Sequence, residues 1–218
     1  AALTADAAKS LVDKTVGDIN SIINSGRSEG AMLKDFEKLF ARYADVPAIA
    51  RSVLGTAARS ASKAQLSAYT KAFQGYISRK YGRRFREFIG GRIEVSDAHA
   101  LKSYFEVIST AYMTGESPFE VRWHVSDKSG KSLFFNIIIE GVNILASERT
   151  EMGALLDQRG GDLDRLTHAT SLRALPAEAA QALLRLGANY LGWHATAEGG
   201  DPVARLHLDN GARLERLD

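Results

Sequence analysis

The residues able to do chemistry in this chain of 218 residues are few and scattered. The histidines are His99, His124, His168, His194 and His207. No two of them stand at ligand spacing on a shared element, so their pattern argues against a metal centre. There is no cysteine, which removes disulfides, thiol nucleophiles and thiolate sites together. Gly90-Gly91, Gly160-Gly161 and Gly199-Gly200 fall at expected element ends, where glycine terminates structure, and none forms a phosphate loop. Glu140 beside Gly141 could act as an acid or base, but no second group is placed to work with it; a structural role at a strand exit is the better reading. The expectation is a protein with no catalytic residues, no cofactor and no metal.

The densest charge cluster is Arg79-Lys80-Tyr81-Gly82-Arg83-Arg84. It could meet anionic lipid headgroups or an acidic docking surface, or nucleic acid. A solvated helix face is preferred over these, and the flanking aromatics suit helix burial better than base stacking. Formal net charge is only +2, so no global field selects nucleic acid or a membrane as partner.

Hydrophobic residues make up 45% and charged residues 25%, values that allow a sizeable core in one generous domain, or one domain with an appendage. No apolar run reaches the ~20 residues that span a bilayer. The chain opens Ala1-Ala2-Leu3-Thr4, which suits a mature secreted protein cut after small residues, or a trimmed chain.

The elements that must position any site are set by periodicity. Leu11, Val12, Val16, Ile19, Ile22 and Ile23 recur at helical spacing and predict a helix from residue 4 to about 25. Leu33, Phe36, Leu39, Phe40 and Tyr43 predict a second, and Val46, Ile49, Val53 and Leu54 a third, with Pro47 in its first turn and Gly55 at its end. Ser62 can cap the longest helix, expected to reach about Ile89, with an aromatic stripe of Leu66, Tyr69, Phe73, Tyr76, Ile77, Tyr81, Phe85 and Phe88. From Arg92 the period becomes 2. Strands are expected at 93–95, 103–114, 119–125 and 133–139, the third with Phe119, Val121, Trp123 and Val125 on one face. Helices, then strands in consecutive hairpins, then another helix predict an α+β fold: a twisted antiparallel sheet of about four strands wrapped by helices.

Over residues 5 to 168 a series of motifs runs in order: Phe40-x-x-Tyr43, Val53-Leu54-Gly55, Tyr69-x-x-x-Phe73-x-x-Tyr76, Tyr81-Gly82 and Phe88-x-Gly90. Glu140-Gly141-Val142, Arg149-x-Glu151 and Leu156-x-x-x-Gly160-Gly161 complete the series. In this order and spacing the series resembles the MlaC family, the toluene-tolerance lipid-binding proteins. The resemblance implies a domain over residues 1–168 with a deep apolar pocket between sheet and helices. It implies a shuttle in the periplasm, mature after signal-peptide removal, for phospholipid or a hopanoid-like lipid. The implied partners are an outer-membrane lipoprotein complex and an inner-membrane ABC transporter with an MCE-domain protein.

Exposing one acyl CH₂ to water costs about 0.8 kcal/mol, so two ~16-carbon tails represent roughly 25 kcal/mol, which a shallow groove cannot offset. An enclosed wall of aromatic and branched side chains is required. The residues expected to supply it are Tyr76, Ile77, Tyr81 and Phe85 from the long helix and Phe119, Val121, Trp123, Ile137 and Ile139 from the sheet. Val142 joins them from the Glu-Gly-Val element. Tyr81 and Val142 rest on family position as well as on pattern.

Residues 171–218 are expected to form a separate segment. Pro176 to Leu191 reads as a helix, and Asn210-Gly211 as the turn of a hairpin. Its run from Asp201 to Arg216 resembles malonyl-CoA decarboxylase, where the position of His207 is implicated in catalysis. The acyl-CoA-binding body and serine-bearing segment of that family are absent, so catalysis by this tail is not expected. Two further readings are an acyl-CoA enzyme fragment and a non-catalytic interaction module with a filled core.

Overall fold

The computed structural model describes residues 2–82, 89–169 and 172. Seven helices and five strands occur among them: α1 (Ala5–Ile23), α2 (Glu29–Tyr43), α3 (Val46–Leu54), α4 (Ala57–Ser60), α5 (Lys63–Gly82), β1 (Arg92–Ala100), β2 (Phe105–Tyr112), β3 (Phe119–Ser126), β4 (Leu133–Ile139), β5 (Val142–Asn143), α6 (Ile144–Asp157) and α7 (Leu163–His168). The strands form one open antiparallel sheet in sequence order, β1-β2-β3-β4-β5.

Short polar side chains start the helices by taking otherwise unpaired N–H groups. Thr4, Ser28 and Asp45 accept from Ala7, Ala31 and Ala48 at 3.1, 3.3 and 3.2 Å. Ser62 and Gln65 exchange two hydrogen bonds at the head of α5, a capping box. α1 buries Ala8, Val12, Val16, Ile19 and Ile23 and lies across β1 and β2. Asp45 N–H donates to the Phe134 carbonyl at 2.9 Å, so the α2–α3 joint covers the part of the β4 edge that β5 is too short to reach.

A second cluster gathers in the helices. Tyr69, Phe73 and Tyr76 of α5 pack with Val53 and Leu54 of α3, Met152 and Leu156 of α6, Leu163 and Leu166 of α7, and Leu172. α5 packs chiefly on α2, α3 and α7, whereas the sheet's main helical contacts are with α1, α3 and α6.

Three features differ from the sequence expectation. A fifth strand exists; at two residues it is too short for any periodicity to announce it. β1 runs on to Ala100, because a bulge between Val95 and Asp97 breaks the alternation without ending the pairing. α7 is a separate short helix, started by Asp162 accepting from Asp164 and Arg165 N–H at 3.0 and 3.1 Å. Residues 173–218, with the expected helix, hairpin and His207, lie outside the described residues, as does Phe85.

Candidate functional site: the seam between sheet and helices

The inner face of the sheet changes character from one strand to the next. Phe119, Val121 and Trp123 of β3 are buried. Trp123 donates its indole N–H to Ser109 Oγ at 3.0 Å, and Ser109 in turn donates to the Val121 carbonyl at 2.6 Å. The indole also meets the Phe134 ring edge-on, with centroids 5.4 Å apart. Ile139 and Ile137 stand opposite Val121 and Trp123 in register. Both are only half-buried, although they continue the same apolar face. Cover over this face therefore thins toward the C-terminal end of β4. Val142, paired with Ile139 across the β4–β5 turn, is half-buried too, and so are Ile77 and Tyr81 of α5.

Val142 is held there by backbone conformation. Glu140 and Gly141 form a two-residue turn in which both residues have positive φ, 49° and 80°, as the tight turns of twisted hairpins require. Asn136 then fixes β5 and the head of α6. Its side chain donates to Asn143 Oδ1 and accepts from Leu145 N–H, both at 3.0 Å, while Asn143 caps Ala146 N–H. β4, β5 and the start of α6 thus form one hydrogen-bonded unit.

Facing the end of α5 is a polar cluster that the sequence reading missed. Lys80 Nζ donates to Glu148 Oε1 at 2.6 Å and also to Glu151. Tyr81 donates its hydroxyl to Glu148 Oε1, and the Tyr76 hydroxyl lies 3.3 Å from Lys80 Nζ and 3.4 Å from Glu148 Oε2. The side chains of Lys80 and Glu148 are 7% and 3% exposed. Burial pushes the Glu148 carboxyl above the usual range; Lys80 opposes the shift and the charge on Glu151 adds to it. Burial likewise raises the Tyr76 and Tyr81 hydroxyls, reinforced by Glu148.

The reading of Arg79–Arg84 as a solvated basic face is corrected at Lys80, which points inward. Helical phase alone treats a lysine as surface. The signal that could have found it is Tyr76 and Lys80 one turn apart, with Glu148 and Glu151 one turn apart on α6. Arg149, between those glutamates, points the other way and donates to the Ser52 carbonyl and hydroxyl at 3.0 and 2.7 Å, so it caps the end of α3.

The outer face of the sheet also groups residues that were scattered in sequence. Glu106 accepts from Arg122 Nη1 at 2.7 Å and pairs with His124 Nε2 at 2.9 Å and His99 Nε2 at 3.2 Å. His99, Glu106, His124 and Asn136 lie in one row across four strands. Cross-strand register, not ligand spacing, brings the two histidines to one carboxylate. Among the described residues no group of three His, Cys, Asp or Glu side chains is disposed to hold a metal.

Among the described residues these features define an α+β protein: an open five-stranded antiparallel sheet, a packed cluster of helices, and half-buried apolar residues at the end of β4 and on β5. Residues 12–170 match the MlaC protein family, and the chain belongs to that family. It is also similar in structure to the phospholipid-binding protein from Ralstonia solanacearum in complex with a phospholipid. The TM-score is 0.65 at 17% sequence identity, covering 81% of this chain and 98% of that one; at that identity the likeness is one of fold.

Proposed function

We propose that the chain is a non-enzymatic lipid carrier of the periplasm that holds a phospholipid or related lipid with its acyl tails in the seam between sheet and helices. The observation that carries this reading is the set of half-buried apolar residues Ile137, Ile139 and Val142, which continue the buried inner face of β3 without being fully covered themselves. Apolar side chains on the inner face of a sheet lose favourable burial when left partly uncovered, and a lipid tail would restore it. Family membership and the phospholipid bound by the Ralstonia relative support the same reading.

The mechanism is exchange of buried apolar surface, with no covalent step. The tails would lie against Phe119, Val121, Trp123, Ile137, Ile139 and Val142 on the sheet side. Tyr76, Ile77 and Tyr81 of α5 would line the other side, and the headgroup would stay in water. Cargo would pass between an outer-membrane lipoprotein complex and an inner-membrane ABC transporter containing an MCE-domain protein. Phe119→Asp and Val142→Asp each place a charge where hydrocarbon must sit. Both variants are expected to purify without the lipid that the parent carries; retention of a normal lipid load in both would exclude this pocket.

A further inference from the structure

On the reading of the chain as a lipid carrier, we propose that Lys80, Glu148 and Glu151 form a proton-operated latch between α5 and α6 that sets how fast the cargo seam opens. Most backbone neighbours of the two helices lie on other elements, α5 on α2, α3 and α7, and α6 on α3 and β4, and they share apolar side chains, Tyr69, Phe73 and Tyr76 with Met152 and Leu156. Lys80 ties them directly by donating to both glutamates of α6. Tyr81 and Tyr76 of α5 are held through the same Glu148, and α6, which carries it, begins directly after Val142 and Asn143 of β5.

The composition of the latch makes it sensitive to protons. Two carboxylates share one ammonium in a site where Lys80 and Glu148 are almost fully buried. Glu151, 35% exposed, is the member able to swing into water. The groups acting on Glu148 are Lys80 and Tyr81 of α5 and Glu151 of α6; Tyr76 of α5 contacts it and Tyr69 of α5 is coupled to it electrostatically. Burial holds Glu148 above the ordinary carboxylate range. Opening the seam hydrates Glu148 and returns it toward that range, so opening releases a proton. By linkage, the closed state gains as pH falls through the raised value and loses as pH rises above it. With Glu148 protonated, Lys80 and Glu151 remain as a balanced pair. With both carboxylates charged, their repulsion favours release.

The test times the transfer of pyrene-labelled phosphatidylcholine from the full chain to vesicles of unlabelled phosphatidylcholine, whose headgroup does not titrate in this range. Rates are taken from above neutral pH down through the carboxylate range, with spontaneous transfer subtracted. The parent protein is expected to slow as pH falls, by at most about tenfold per pH unit, the limit for one proton. Glu148→Gln, neutral at every pH, is expected to stay slow with a flat profile. Glu151→Gln, at the more exposed end of the latch, is expected to flatten the profile as well, and serves if Glu148→Gln does not fold. A pH-independent rate in the parent, or a parental profile in the folded glutamine variants, overturns the latch and leaves the carrier reading standing. A parent that takes up no phosphatidylcholine from loading vesicles, and carries no other lipid, overturns both.

Discussion

Lys80 Nζ lies 2.6 Å from Glu148 Oε1, a buried ion pair joining the last turn of α5 to α6. Such a pair adds little over a well-packed apolar substitute, but removing one partner strands the other charge. Lys80→Met therefore leaves Glu148 and Glu151 facing each other with no cation between them. It is expected to cost about 3–5 kcal/mol, read from urea unfolding. Glu148→Gln, which leaves Lys80 its Glu151 partner, should cost clearly less. Equal losses in the two variants would mean the ammonium is not the hub.

The Glu140-Gly141 turn gives a second test. Gly141 has φ of 80°, a region that costs a side-chain-bearing residue roughly 1–2 kcal/mol. Gly141→Ala is expected to lower stability by about that amount and to displace Val142. Glu140→Asn, a residue better suited to positive φ, should be neutral or slightly stabilising. Thermal melts of the two variants should therefore move in different directions from the parent, or only the alanine variant should move.

The two buried carboxylates predict opposite responses to acid. Burial raises Glu106, but hydrogen bonds from His124 and Arg122 outweigh it, and the net shift is downward. Its contribution to stability is thus present above the ordinary carboxylate value and lost as pH falls through the lowered one. Glu148, shifted upward, disfavours the fold when charged and gives stability back as pH falls through its raised value. Glu106→Gln is expected to flatten the acid end of the stability profile, whereas Glu148→Gln should flatten the part nearer neutrality. Chemical denaturation at a series of pH values separates the two; a flattening at the same pH in both variants would contradict the assignment.

The readable parts of the fold were those set by local pattern. The apolar spacing of α1, the box at Ser62 and Gln65, Pro47 at the start of α3 and the alternation of β3 all appear where periodicity placed them. What escaped depends on pairing between distant segments. β5 exists because a two-residue turn folds Val142 back onto Ile139. His99 and His124 meet because register aligns them on Glu106. Lys80 is buried because α6 brings it two carboxylates from residues 68 and 71 positions away. The family motifs marked Tyr81, Arg149 and Glu151 without their roles: hydroxyl donor to Glu148, cap of α3, and second acceptor for Lys80.

Whether the apolar residues of β3, β4 and β5 hold lipid is read by native mass spectrometry of gently purified protein, with organic extraction and lipid identification. A bound species of phospholipid-like mass is expected in the parent and lost in Val142→Asp. A clean unliganded mass from lipid-rich cells, with no uptake from vesicles, would show that the protein is not a lipid carrier.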